Sequence, residues 1–296
     1  MPALNARTAW SLARETMTSW SDDYASSMGA ALAYYTMFSI APLLLIVISV
    51  AGLVFGERAA RGEILAQLET LMGSDGAHAV QALLASVNQP RAGMVATAFA
   101  VGALVVGATS VFGELQNALD RIWQAPRRDD AAGAWKWLRS RLLSLGMIFG
   151  IGFLLMVSLL ASALLATIQR WFGRYLDLGI FASGVDFAVS LVFITVAFAM
   201  IYKLMPRVRV MWKDVWIGAA VTALLFTIGK MAIGVYIGRS AVASTFGAAA
   251  SLVAMVVWVY WSAQIFLLGA EFTWVWARRF GSLREQAEAL PGKAAR

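Results

Sequence analysis

AASLVAMVVWVYWSAQIFLLGAEFTWVWA, residues Ala249 to Ala277, decides how the rest of the chain is read. As a helix rising about 1.5 Å per residue it would run roughly 40 Å, more than the ~30 Å hydrocarbon core of a bilayer. It nevertheless carries Gln264 and Glu271. Trp274 and Trp276 lie near its end, and Arg278 and Arg279 stop the apolar run, as expected at a lipid headgroup surface.

Composition extends that reading to the whole chain. Of 296 residues, 60% are hydrophobic and 14% charged, more apolar surface than an ordinary soluble core can hide. No cysteine occurs, which excludes disulfides, thiolate metal sites and a cysteine nucleophile. His78 is the sole histidine and sits on a polar amphipathic stretch, so it reads as a plain surface residue. No metal site and no cofactor are expected. The net charge of +7 could suggest nucleic acid, but Lys and Arg cluster at the ends of apolar runs and form no single basic stripe. Lipid is the expected partner, with anionic headgroups at the basic face.

Six spans are expected, at about 28–55, 92–112, 142–168, 181–204, 215–237 and 249–277, in an all-α polytopic bundle. Residues 1–27 lack the apolar core and cleavage site of a removable signal. Leu4, Trp10, Leu12, Met17 and Trp20 among Arg7 and Arg14 instead suggest an amphipathic helix at the membrane surface. Between spans one and two, residues 57–91 show a helical period, with Ser74 or Asp75 able to start a second short helix. The expectation is a small helical cap outside the bilayer or in its interface. Residues 280–296 read as a disordered cytoplasmic tail.

Basic residues sort these loops into two sides. Arg7 and Arg14, the run from Arg121 to Arg141, the turn from Lys203 to Lys213, and Arg278 through Arg296 place seventeen on one side. The other side carries six: Arg58, Arg61, Arg91, Arg170, Arg174 and Arg239. Such an asymmetry puts both termini in the cytoplasm and requires an even number of crossings.

Several polar residues interrupt the spans. Pro42 cannot donate to the Phe38 carbonyl, so the first span should kink near Ser39, or break there to line a cavity with Tyr34 and Tyr35. Lys230 and Asp186 sit at similar depths, about 10 and 8 Å from the outer ends of their spans, and could pair. Lys230 could equally snorkel to the headgroups. Gln264 reads first as an interhelical hydrogen-bonding group. Glu271 reads either as a carboxylate answered by Arg278 or another helix's base, or as a contact for an ion or solute. Gly146 and Gly150 offer a small-residue packing face, which leaves homo-oligomerisation open.

Four strings carry a family resemblance: ALAYYTMFSIAPLLL at 31–45, FGELQNALDRIW at 112–123, YKLMPRVRVMWKD at 202–214, and STFGAAASLVAMVVWVYWSAQIFLLGAE at 244–271. Together, and in this order, they resemble the YihY/BrkB family of bacterial inner-membrane proteins. Phe246 and Asp120 stand where that family usually has tyrosine and asparagine. The resemblance implies a six-helix inner-membrane protein without a settled activity. Its members have carried ribonuclease BN-like and virulence or serum-resistance labels, and transport has been suspected. Catalytic histidines or clustered carboxylates are missing from this chain, so no enzyme is expected. The favoured reading is a transporter-like protein moving a small solute or ion through a cavity built from Glu271, Lys230, Gln264, Asp186, Tyr34, Tyr35 and Pro42. The alternative is a non-catalytic envelope interaction protein.

Overall fold

The structure is a computed structural model that describes residues 5–87, 94–126, 146, 150, 152, 179–208, 210–239 and 250–284. Its elements are α1 (Ala6–Asp22), α2 (Ala25–Phe55), α3 (Glu57–Val87), α4 (Met94–Ile122), α5 (Gly179–Leu204), α6 (Trp212–Arg239) and α7 (Ala250–Arg279). All are helical. Among the described residues, four segments are long and apolar enough to cross a membrane: Ala25–Leu53, Phe187–Leu204, Trp212–Tyr236 and Leu252–Arg279. They correspond to the expected spans one, four, five and six. The second expected span, at 92–112, falls in α4 from Met94 onward; the third, at 142–168, falls outside the described residues save for Gly146, Gly150 and Gly152. The tail from 285 and the turn at 240–249 fall outside them too.

α7 is the axis. It packs against α1, α2, α3, α4 and α6, while α5 packs on α6 and reaches α7 through Tyr202 and Phe198. Lipid tails are as apolar as leucine, so helices here associate through close packing and interhelical hydrogen bonds more than through any hydrophobic drive. The α6–α7 seam shows how. Thr222 of α6 faces Gly269 of α7, and Thr273 of α7 faces Gly218 of α6. Each threonine hydroxyl donates to the carbonyl four residues back on its own helix, Thr222 to Gly218 and Thr273 to Gly269, both at 2.7 Å. The two Gly-xxx-Thr patterns thus interlock in antiparallel register, each glycine leaving room for the other helix's threonine.

Two apolar clusters flank this axis. The first gathers Leu119, Ile122, Trp123, Tyr202, Val215 and Leu267 at the end where α4, α5 and α6 meet α7. Tyr202 is fully buried there; its hydroxyl donates to the Phe266 carbonyl at 2.7 Å and lies 3.1 Å from the Thr222 hydroxyl. The second joins Ala41, Leu44 and Ile48 of α2 with Met72, Val80 and Leu84 of α3 and Met255 of α7. The outward faces stay apolar: Leu53, Val192, Leu224, Ile228 and Met231 are all exposed, the arrangement a bilayer stabilises and water does not.

α3 divides at Gly73, whose φ of +79° is open to glycine at little cost, one residue before the expected cap. Its second half does not stand clear of the bundle; Val80 is fully buried against α2 and Met255. α2 runs as one helix through Pro42, without the break that a discontinuous span would need. The Ser39 hydroxyl bonds to the Tyr35 carbonyl at 2.7 Å, and Gly107 of α4 leaves space beside the proline ring. α1 docks on the C-terminal end of α7. Arg279 of α7 donates to the Ser11 hydroxyl at 2.9 Å and pairs with Glu15 at 3.5 Å.

Candidate functional site at the α1–α2 corner

A tight corner joins α1 to α2. The Asp23 amide closes α1 on the Ser19 carbonyl, and Tyr24, at φ 56° and ψ 41°, takes the left-handed conformation that reverses the chain without a glycine. Arg121, in the last turn of α4, holds this corner from outside. Its guanidinium lies 4.0 Å from the Asp23 carboxylate and 5.5 Å from the centre of the Tyr24 ring.

Beneath the corner lies Glu271. It is fully buried, and among the described residues neither carboxyl oxygen has a hydrogen-bond partner of standard geometry. The charged groups it faces are acids, Asp23 first and Asp22 behind it. No base answers it. Arg278 stacks over the Trp274 ring at 5.7 Å, and Arg279 is engaged by α1. The neighbouring Ala270 carbonyl is taken by the Trp123 indole, which donates to it at 3.1 Å. Burial raises the pKa of Asp23 above its ordinary value; the contact with Glu271 and the Arg121 charge lower it, and Asp22 adds to the rise.

Gln264, seven residues before Glu271 and about 10 Å along the helix, faces the same neighbour. Its amide nitrogen donates to the Ser26 carbonyl at 3.3 Å, at the start of α2, while its own carbonyl oxygen is buried without a partner. Glu271 and Gln264 therefore form one polar stripe of α7 against the α1–α2 corner. The other expected cavity residues do not join it. Tyr34 and Tyr35 are exposed among the described residues, 59% and 38%, and Pro42 faces α4. Lys230 is half-buried on α6 between the exposed Ile228 and Met231, with no hydrogen bond or ion pair among the described residues. The side chain of Asp186, and with it the proposed pairing to Lys230, falls outside them.

Above the corner opens a cleft of about 530 Å³ lined by Asn117, Asp120, Arg121, Ala125, Pro126 and Arg207. Asp120 accepts the Arg207 amide at 2.8 Å and pairs with its guanidinium at 3.2 Å, tying α4 to the α5–α6 turn. Burial raises the Asp120 pKa, and the Arg207 contacts oppose the rise. Asp23, Arg121 and Trp123 were not singled out in the sequence. Asp22-Asp23 reads there as part of an amphipathic surface segment, and only the fold brings Asp23 over an acid some 250 positions away.

A helical bundle with lipid-facing apolar surfaces and a buried acid under a basic end defines the class: a polytopic membrane protein. Within that class the family is shown, for the family model described as Virulence factor BrkB matches residues 16–293, and the chain belongs to that family. It is 32% identical to the membrane protein YihY of Escherichia fergusonii over 195 residues, 64% of this chain and 62% of that protein. The YihY proteins of Salmonella typhimurium and Escherichia coli K12 are equally similar, at 32% over 194 and 195 residues. The matched region thus spans less than two thirds of these relatives' length. No solved structure matches.

Proposed function

We propose that this protein moves a small solute or ion across the bacterial inner membrane, with both termini in the cytoplasm and Glu271 as the group that contacts what moves. One observation carries the reading: Glu271 is completely buried in a membrane helix, and among the described residues it has neither a base to neutralise it nor a donor to bond it. An ionisable group so placed is costly, and the cost is offset when the group serves a pathway. The aligned Gln264 extends the polar stripe toward the middle of the bilayer. No catalytic step belongs to this proposal; His78 is exposed, and among the described residues no three acids or histidines gather as metal ligands.

The test uses protein in liposomes loaded with a pH-sensitive or a sodium-sensitive dye, with the matching proton or sodium gradient imposed across the membrane. The expected result is dissipation faster than in protein-free vesicles, falling to their rate with Glu271→Gln. Rates equal to protein-free vesicles for both gradients would remove the reading. A second reading, an envelope interaction protein with no conduction path, is favoured by the scatter of Tyr34, Tyr35, Pro42 and Lys230 away from Glu271. It predicts no flux, and an unchanged partner-binding surface in Glu271→Gln.

A further inference from the structure

Two carboxyl groups that face each other in a buried site cannot both keep their charge cheaply. The groups around Glu271 can be taken element by element. From the α1–α2 corner come Asp23 and Asp22; from α4, Arg121 reaches Asp23; α3 and α6 present no charge to Glu271 among the described residues. On α7 itself, Arg278 and Arg279 are turned to Trp274 and to α1. Arg121 favours the ionised form of Asp23, the partly exposed member, whose side chain is 28% accessible. Glu271, with no accessible surface and no base among the described residues, is left as the member that needs a proton. Two ionised carboxylates have no donor between them, so contact between these groups requires one hydrogen.

We infer that Asp23 and Glu271 form a carboxyl pair sharing one exchangeable proton, with Asp23, the partly exposed member, as the group that passes it between Glu271 and water. This rests on, and deepens, the reading of Glu271 as the working group. In the one-proton state the Glu271 O–H donates to the Asp23 carboxylate. On release, the proton passes to Asp23 and then to water, leaving both groups anionic; on uptake, hydronium protonates Asp23 and the proton moves inward to Glu271. A metal cation fits the site less well. Hard cations want six or more oxygen ligands, whereas the nearby Ala270 carbonyl is already bonded to Trp123 and no third acid or histidine completes a ligand set among the described residues. The corner has the means to respond. Tyr24 holds a left-handed turn, and α1 is fixed beyond it by Arg279, so repulsion between two anions would push the corner away from α7.

The experiment is infrared spectroscopy of the full chain in lipid nanodiscs, with no solute added. At pH 7 the wild type should show the carbonyl stretch of a protonated carboxyl group, and Glu271→Gln should lack it. Raising the pH should remove the band, and in Asp23→Asn it should vanish about one pH unit lower, because the facing charge is gone. Should Glu271→Gln fail to fold, the Asp23→Asn shift alone decides. A wild type without the band at pH 7, a band undiminished in Glu271→Gln, a band whose loss is unmoved in Asp23→Asn, or a wild-type band abolished by sodium would each overturn the pair. The outcome is separable from transport. A protein with the band but no flux keeps the pair and loses the transport reading; flux without the band does the reverse.

Discussion

Tyr202 concentrates the bonding logic of this bundle in one side chain. Its hydroxyl and that of Thr222 share two hydrogens among three contacts, with the Phe266 carbonyl, with the Gly218 carbonyl, and with each other. Inside a membrane an interhelical hydrogen bond of this kind contributes about 0.6–1.7 kcal/mol. Tyr202→Phe keeps the ring against Trp123 and Phe266 and removes only the hydroxyl. It should lower stability by about 1 kcal/mol, read as a drop in unfolding midpoint in detergent, and a midpoint equal to wild type would show that the Phe266 carbonyl finds another donor. Asp23 gives a pH prediction. Its folded pKa is raised above the ordinary 3.8, so between those two values the folded state binds more protons than the unfolded one. Its contribution to stability is complete below the unfolded pKa and is lost as pH rises through the folded one. Mild acidification should therefore raise the unfolding midpoint, and Asp23→Asn should flatten that slope; an equal slope in the variant would assign the effect elsewhere.

At the level of helices, the α6–α7 seam sets the position of Glu271 relative to everything else. A side chain at Gly218 would strike Thr273, and one at Gly269 would strike Thr222 and the Tyr202 hydroxyl. Gly218→Ile or Gly269→Ile should each cost roughly 2–3 kcal/mol by overpacking. Measured by folded yield and unfolding midpoint, both should fall well below Gly234→Ala, a position with open space around it. A Gly218→Ile variant as stable as Gly234→Ala would mean that the seam is looser than its interlock implies. The sequence drew attention to Gly146 and Gly150, because glycine repeats are the familiar signal, whereas the described seam uses Gly-xxx-Thr on both helices. That spacing was visible in the chain. Its pairing was not, since nothing local says which helix a small face will meet.

For the molecule as a whole, one end collects the ion pairs. Arg279–Glu15, Arg121–Asp23 and Arg207–Asp120 tie α7, α4 and the α5–α6 turn to their neighbours, and the Ser282 amide donates to Asp214 at 2.9 Å. α1 and the C-terminal end of α7 lie there together, and the proposed topology puts both on the cytoplasmic side. The lack of cysteine makes this directly measurable. Single cysteines at Ala6 and Lys293 should react with a membrane-impermeant thiol reagent only from the cytoplasmic face, and one at Arg58 only from the opposite face. Labelling of the first two from opposite sides would overturn the topology.

The membrane class and the helical state follow from the chain alone, because hydropathy acts on each segment independently of its neighbours. Glu271 stood out for the same reason: a carboxylate in an apolar run is costly wherever the run packs. What confronts that carboxylate belongs to tertiary structure. Arg278 lay at a plausible spacing to neutralise it, yet its guanidinium stacks over Trp274 while the acid meets Asp23. Tyr34, Tyr35 and Lys230 were grouped with it on paper as one cavity but do not share its face, since facing is set by which helices touch. Contact between residues more than two hundred positions apart depends on how whole helices pack, and no local pattern encodes that.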